Sequence, residues 1–106
     1  MPAIWELVPD PEMLITLEPE EPGGVLLQVY SDAQGTSNVF SPNEVAFSAF
    51  RGDPPRYPEQ YKRSVPLAMA EATQWLEAAG FIIQAPEQST SYKTLTRRGR
   101  RLASAA

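Results

Sequence analysis

Val65-Pro66-Leu67-Ala68-Met69-Ala70-Glu71-Ala72-Thr73-Gln74-Trp75-Leu76-Glu77-Ala78-Ala79-Gly80-Phe81-Ile82-Ile83-Gln84 is the stretch on which the fold turns. Val65, Ala68, Met69, Ala72, Trp75, Leu76 and Ala79 recur every three or four residues, the period of one face of an α-helix. Gly80 stands where a helix commonly ends on a left-handed residue. The β-branched run Phe81 to Gln84 then reads as a short strand. A long helix feeding directly into a strand is therefore the expected centre of the molecule. Its apolar stripe is core, and Trp75 at this spacing is a packing residue. The helix start is open: either Ser64 caps it with Pro66 in the first turn, or a longer helix from about Pro58 is kinked at Pro66.

Downstream, Ala85 to Ser91 is a polar loop and Tyr92 to Leu95 a second strand, which together predict a two-stranded hairpin. Thr96 is placed to cap a short basic helix through Leu102, and Ala103 to Ala106 are expected to fray. Upstream, Arg51-Gly52-Asp53-Pro54-Pro55 reads as a turn that ends the preceding helix. That helix starts at Ser41-Pro42-Asn43-Glu44, a capping box with proline at the first helical position. Before it, acids and prolines at 18–22 suggest a first helix with Val25 to Tyr30 as its body, closed by a turn at Asp32 to Gly35. Pro9 and Pro11 predict an extended or loosely turned arm over residues 1–16, with Trp5 packed on a globular body at 17–104; a tail that orders only against a partner is the competing reading. The expected fold class is mainly α with a small β-hairpin, in one domain spanning 1–106.

Composition narrows the chemistry. The 106 residues are 42% apolar, ordinary for a chain with one hydrophobic core. With no Cys and no His, disulfides, thiolate metal sites, cysteine nucleophiles and the usual neutral-pH general base are all excluded. No phosphate-binding glycine loop, calcium loop or nucleophile elbow is present. The expectation is a binding module and not an enzyme, without a cofactor. No apolar run approaches the roughly 20 residues of a membrane span, and no secretory pattern opens the chain, so a cytoplasmic location is the default expectation. Charge is sorted along the chain: residues 1–50 carry eight acids and no Lys or Arg, while 51–106 carry all nine basic residues and five acids.

The order helix, helix, long helix, two-stranded hairpin and short helix resembles a winged-helix, or winged helix-turn-helix, domain. Trp75-Leu76-Glu77-Ala78-Ala79-Gly80-Phe81-Ile82 is similar to the end of that family's last core helix and its "Leu-x-x-x-Gly-Leu-Ile" strand. Tyr92-Lys93-Thr94-Leu95-Thr96-Arg97-Arg98-Gly99-Arg100-Arg101-Leu102 resembles its closing "Leu-Thr-x-x-Gly-x-x-Leu" segment. A narrower likeness, carried by Tyr57-Pro58-Glu59, Glu71-Ala72, Trp75-Leu76 and Thr96 to Gly99, is to poorly characterised N-terminal domains of bacterial multidomain proteins, some connected with phage defence.

The resemblance implies DNA binding, with the outer face of the third helix in the major groove and the hairpin on the backbone. That face would hold Leu67, Ala70, Glu71, Gln74, Glu77 and Ala78, of which only Gln74 reads a base edge well. Backbone contact through the basic half is the primary expectation. Arg97, Arg98, Arg100 and Arg101 would meet phosphates, with Lys62, Arg63 and Lys93 as secondary contacts. The alternative is a protein-interaction, dimerisation or adaptor domain, in which the acidic half of one chain meets the basic half of another. A small-ligand sensor is a third possibility, for which no pocket can be named from sequence.

Overall fold

Residues 3–18, 20–34, 39–86 and 92–105 are described by the structure, a computed structural model. Six α-helices and one antiparallel hairpin are present among them: α1 (Ile4–Leu7), α2 (Glu12–Thr16), α3 (Glu20–Gln34), α4 (Pro42–Ser48), α5 (Ser64–Ala78), β1 (Ile82–Gln84), β2 (Lys93–Leu95) and α6 (Arg97–Ala105). The chain is mainly helical with a small two-stranded sheet, as the sequence predicts. None of the described helices is long and apolar enough to cross a membrane.

The apolar stripe of α5 becomes the centre of the core. Val65, Met69, Ala72 and Leu76 are buried against Leu26, Leu27, Val29 and Tyr30 of α3 in one cluster that also takes in Ile82 and Leu95. Each large side chain so removed from water contributes roughly 1.5–3 kcal/mol. Tyr30 stacks on Phe40 at 4.3 Å. Thr73 is a polar member of the core that periodicity alone does not announce. Its hydroxyl donates to the Met69 carbonyl at 2.7 Å, so at 2.6 Å it accepts from the Tyr30 hydroxyl.

The junction after α5 is a complete Schellman ending. Gly80 has φ of 83°, its N–H reaches the Glu77 carbonyl at 3.1 Å, and the Phe81 N–H reaches the Leu76 carbonyl at 2.9 Å. This reverses the chain into β1, which pairs with β2 in the register Ile82–Leu95, Ile83–Thr94 and Gln84–Lys93. On the far side of β2, Phe40 and Lys93 exchange both backbone hydrogen bonds at 2.9 Å, tying the segment before α4 to the hairpin. In α4 the Ser41 hydroxyl accepts the Glu44 N–H at 3.4 Å, as its capping pattern predicts. Glu44 does not complete the box; its carboxylate takes Arg51 at 2.9 Å instead.

Four expectations are corrected. Residues 3–16, the described part of the expected arm, are not extended: α1 and α2 form within them, with Ile4 and Leu14 buried. The prolines separate the two helices instead of preventing them, and the Asp10 carboxylate accepts the Glu12 N–H at 3.0 Å to start α2. Asp32 to Gln34 are the last turn of α3 and not a loop, because the Gln34 side chain is drawn into the core, where it accepts the Leu95 N–H at 3.1 Å; Gly35 lies outside the described residues. Ser64 is the first residue of α5 and not its cap, and a separate 3-10 turn at Glu59–Tyr61 replaces a longer kinked helix. Helix α6 runs on to Ala105 instead of fraying at Ala103, whose carbonyl accepts Gln28 at 3.0 Å. Ala106 and most of the predicted hairpin loop, including Glu87, lie outside the described residues.

Candidate functional site

Helix α6 is positioned by two residues. The Thr96 hydroxyl donates to the Gly80 carbonyl at 2.6 Å and accepts the Gly99 N–H at 3.0 Å, so one side chain both caps α6 and fastens it to the end of α5. Gly99 then lies flat on Phe81: a Cβ added there would stand 2.0 Å from the Phe81 carbonyl oxygen. With Gly99 and Ala103 turned inward, a spacing of about 100° per residue sends Arg97, Arg98, Arg100 and Arg101 over the outer half of the helix. All four are exposed. Among the described residues, none of them forms an ion pair. Arg98 is partly engaged, its guanidinium lying 4.9 Å from the centre of the Phe81 ring.

The remaining predicted contacts do not join this cluster as one surface. Lys93 is half-buried in β2 and its ammonium sits 2.9 Å from the Glu77 carboxylate, so each cancels the other's charge. Lys62 and Arg63 are exposed just ahead of α5, at the opposite end of that helix from Gly80 and the root of α6. Fifteen residues of helix separate the two ends, about 22 Å along the axis. Lys62 also lies 3.9 Å from Glu59.

The outer face of α5 has the composition read from sequence. Leu67, Ala70, Glu71, Gln74 and Ala78 are exposed, and Glu77 is half-buried by its ion pair. Gln74 lines a cleft of about 310 Å³ between α4, α5 and β2, together with Asn43, Ala70, Glu77 and Lys93. Tyr30 closes the inner end of this cleft, and burial pushes its hydroxyl up to about 12. Among the described residues, no group of three acidic side chains is gathered to hold a metal ion.

Two features of the site were not visible in the sequence. Trp75 is partly exposed, 6.2 Å from Phe81 and against Gly23, where an added Cβ would meet its ring at 3.3 Å. Trp75, Phe81 and Arg98 thus form a continuous aromatic and cationic ledge at the root of α6. Arg56 likewise covers Trp5 at 5.6 Å. The spacing placed Trp75 in the core stripe; instead it stands 38% exposed at the edge of that stripe, because among the described residues its neighbours there are Gly23 and Phe81 and nothing larger covers it. Comparison with protein-family models, curated proteins and solved structures returned no match.

Proposed function

We propose that this chain is a non-catalytic, cytoplasmic binding module of winged-helix type that grips nucleic-acid phosphates through α6. The observation that carries this reading is the set of four exposed arginines without an ion pair among the described residues, on a helix fastened to the core by Thr96 and Gly99. Fixed guanidiniums suit phosphate oxygens, and they impose no base sequence. The helix order and the Phe40–Lys93 bridge, which anchors the hairpin on the body, are compatible with the winged-helix arrangement. One departure stands out: α4 and α5 are joined by Ala49 to Arg63, far longer than the usual three- or four-residue helix-turn-helix connection. Glu71 on the outer face of α5, together with a neutralised Lys93, weighs against base reading by α5 and in favour of backbone contact.

The test is fluorescence anisotropy with a labelled random-sequence duplex, for the wild type and a variant with Arg97, Arg98, Arg100 and Arg101 all changed to Ala. Micromolar affinity at low salt, lowered at least about tenfold in the variant, is expected. Absence of binding at low salt overturns the proposal, and so does a variant that binds as well as the wild type.

A further inference from the structure

An apolar cleft lies within the acidic N-terminal half of the chain. Helices α1 and α2 meet the first turns of α3 around a space of about 500 Å³, whose walls include Leu7, Met13, Leu17 and Val25. Leu7, Met13 and Leu17 are all exposed, Met13 by 48%. Three large apolar side chains facing water around one concavity are unusual on a small protein that has a complete core elsewhere. Asp10 and Glu21 stand at the lip, and Glu12 and Glu18 are exposed on the same segment. Among the described residues, none of these four carboxylates has a Lys or Arg within ion-pair distance. No Lys or Arg occurs anywhere in residues 1–50. Phosphate is repelled by such a rim, so the nucleic acid of the proposed function does not cover it. Its occupant brings an apolar knob flanked by cations.

The molecule carries that object on α6. Leu102 is 48% exposed, lies one helical turn beyond Arg98 and follows Arg101 directly. An exposed leucine that follows an arginine run is the chemical complement of an apolar cleft lined also by Asp10 and Glu21. We infer that α6 of one copy docks in the α1–α2–α3 cleft of a second copy, with Leu102 inside and arginines against the acidic lip. Because the two surfaces differ, copies either pair reciprocally about a two-fold axis, each α6 in the other's cleft, or continue head to tail. A nine-residue helix in a cleft of this size buries less than a standard interface, so the association is weak, with Kd in the range of about 10–100 µM. It also competes with phosphate for the same arginines.

Sedimentation velocity on nuclease-treated protein from about 5 to about 500 µM, at low salt and near 0.5 M, is the test. Concentration-dependent association that weakens at high salt is expected. Met13→Lys and Leu102→Glu, both at exposed positions, should each weaken it at least about tenfold. Mixing the two variants should restore association in part, since one retains its helix and the other its cleft. Monomer at every concentration overturns the inference, as does association that Met13→Lys leaves intact. Loss in both variants without recovery on mixing also overturns it, since the contact would then join like surfaces. The outcome is separable from duplex binding: at the low-micromolar protein of the anisotropy assay the chain is largely monomeric, so Met13→Lys should not weaken duplex binding whether or not self-association occurs.

Discussion

Gly99 is the residue on which the candidate site depends, since its missing Cβ lets α6 touch the Phe81 backbone. Gly99→Ala forces helix and turn apart; a loss of about 3 kcal/mol is expected, seen as a fall in Tm on the order of 10 °C or more. Duplex affinity should fall with it, because the arginines lose their platform. Tyr30 governs the alkaline limit. Its unfolded hydroxyl ionises near 10, whereas burial raises the folded value to about 12, partly offset by the bond to Thr73. Below pH 10 both states are protonated and stability is unaffected. As pH rises from 10 to 12 the unfolded chain sheds the proton that the folded chain retains, and about 2–3 kcal/mol is lost. Tyr57, raised to about 12 by burial and then by the nearby Asp10 charge, acts in the same direction. Thermal melts between pH 8 and 12 should show this slope, and Tyr30→Phe should flatten it; an unchanged slope excludes Tyr30 as its source. At this scale the Arg97 to Arg101 run and the Thr96 cap were legible, because both act through neighbours in sequence. The Lys93–Glu77 pair was not: it joins α5 to β2, and only the fold of the hairpin back against α5 brings the two together.

Elements of different length were legible to different degrees. Helix α5 extends over fifteen residues, enough for its stripe to repeat, and the Gly80 ending followed from chain order. Helices α1 and α2 have four and five residues, too few for any period, and helices so short do not persist alone in water. They exist because residues far along the chain hold them. Tyr57 is fully buried and its hydroxyl donates to the Val8 carbonyl at 2.5 Å, with the Ile4 carbonyl at 3.4 Å, while Tyr61 reaches Glu12 at 2.9 Å. Tyr57→Phe keeps the ring and removes the clasp. Amide hydrogen exchange should then rise about tenfold across residues 4–16, equivalent to roughly 1.4 kcal/mol, with little change in α5. Equal acceleration in α5 would mean that the N-terminal helices do not open as a separate unit.

Across the whole molecule, the division of charge at residue 50 is not kept in space: Glu44 pairs with Arg51, Tyr61 reaches Glu12, and the first turn of α3 packs through Gly23 on Trp75, which adjoins Phe81 and the root of α6. The acidic lip belongs to α2 and α3, and the arginines without an ion pair belong to α6. The salt response of duplex binding should report those four arginines. Four phosphate contacts give a slope of log Kd against log salt near 3.6, so affinity should fall about a hundredfold between 50 and 200 mM. A slope near one would mean that only a single arginine reaches the backbone. The ledge of Trp75, Phe81 and Arg98 has one more consequence. Trp5 and Trp75 are the two tryptophans of the chain; Arg56 covers the first, and the second adjoins Phe81, over which Arg98 lies. With Trp5 replaced by Phe, the emission of the remaining indole becomes a built-in optical gauge of α6, following its docking, its release and its capture by another molecule without a dye.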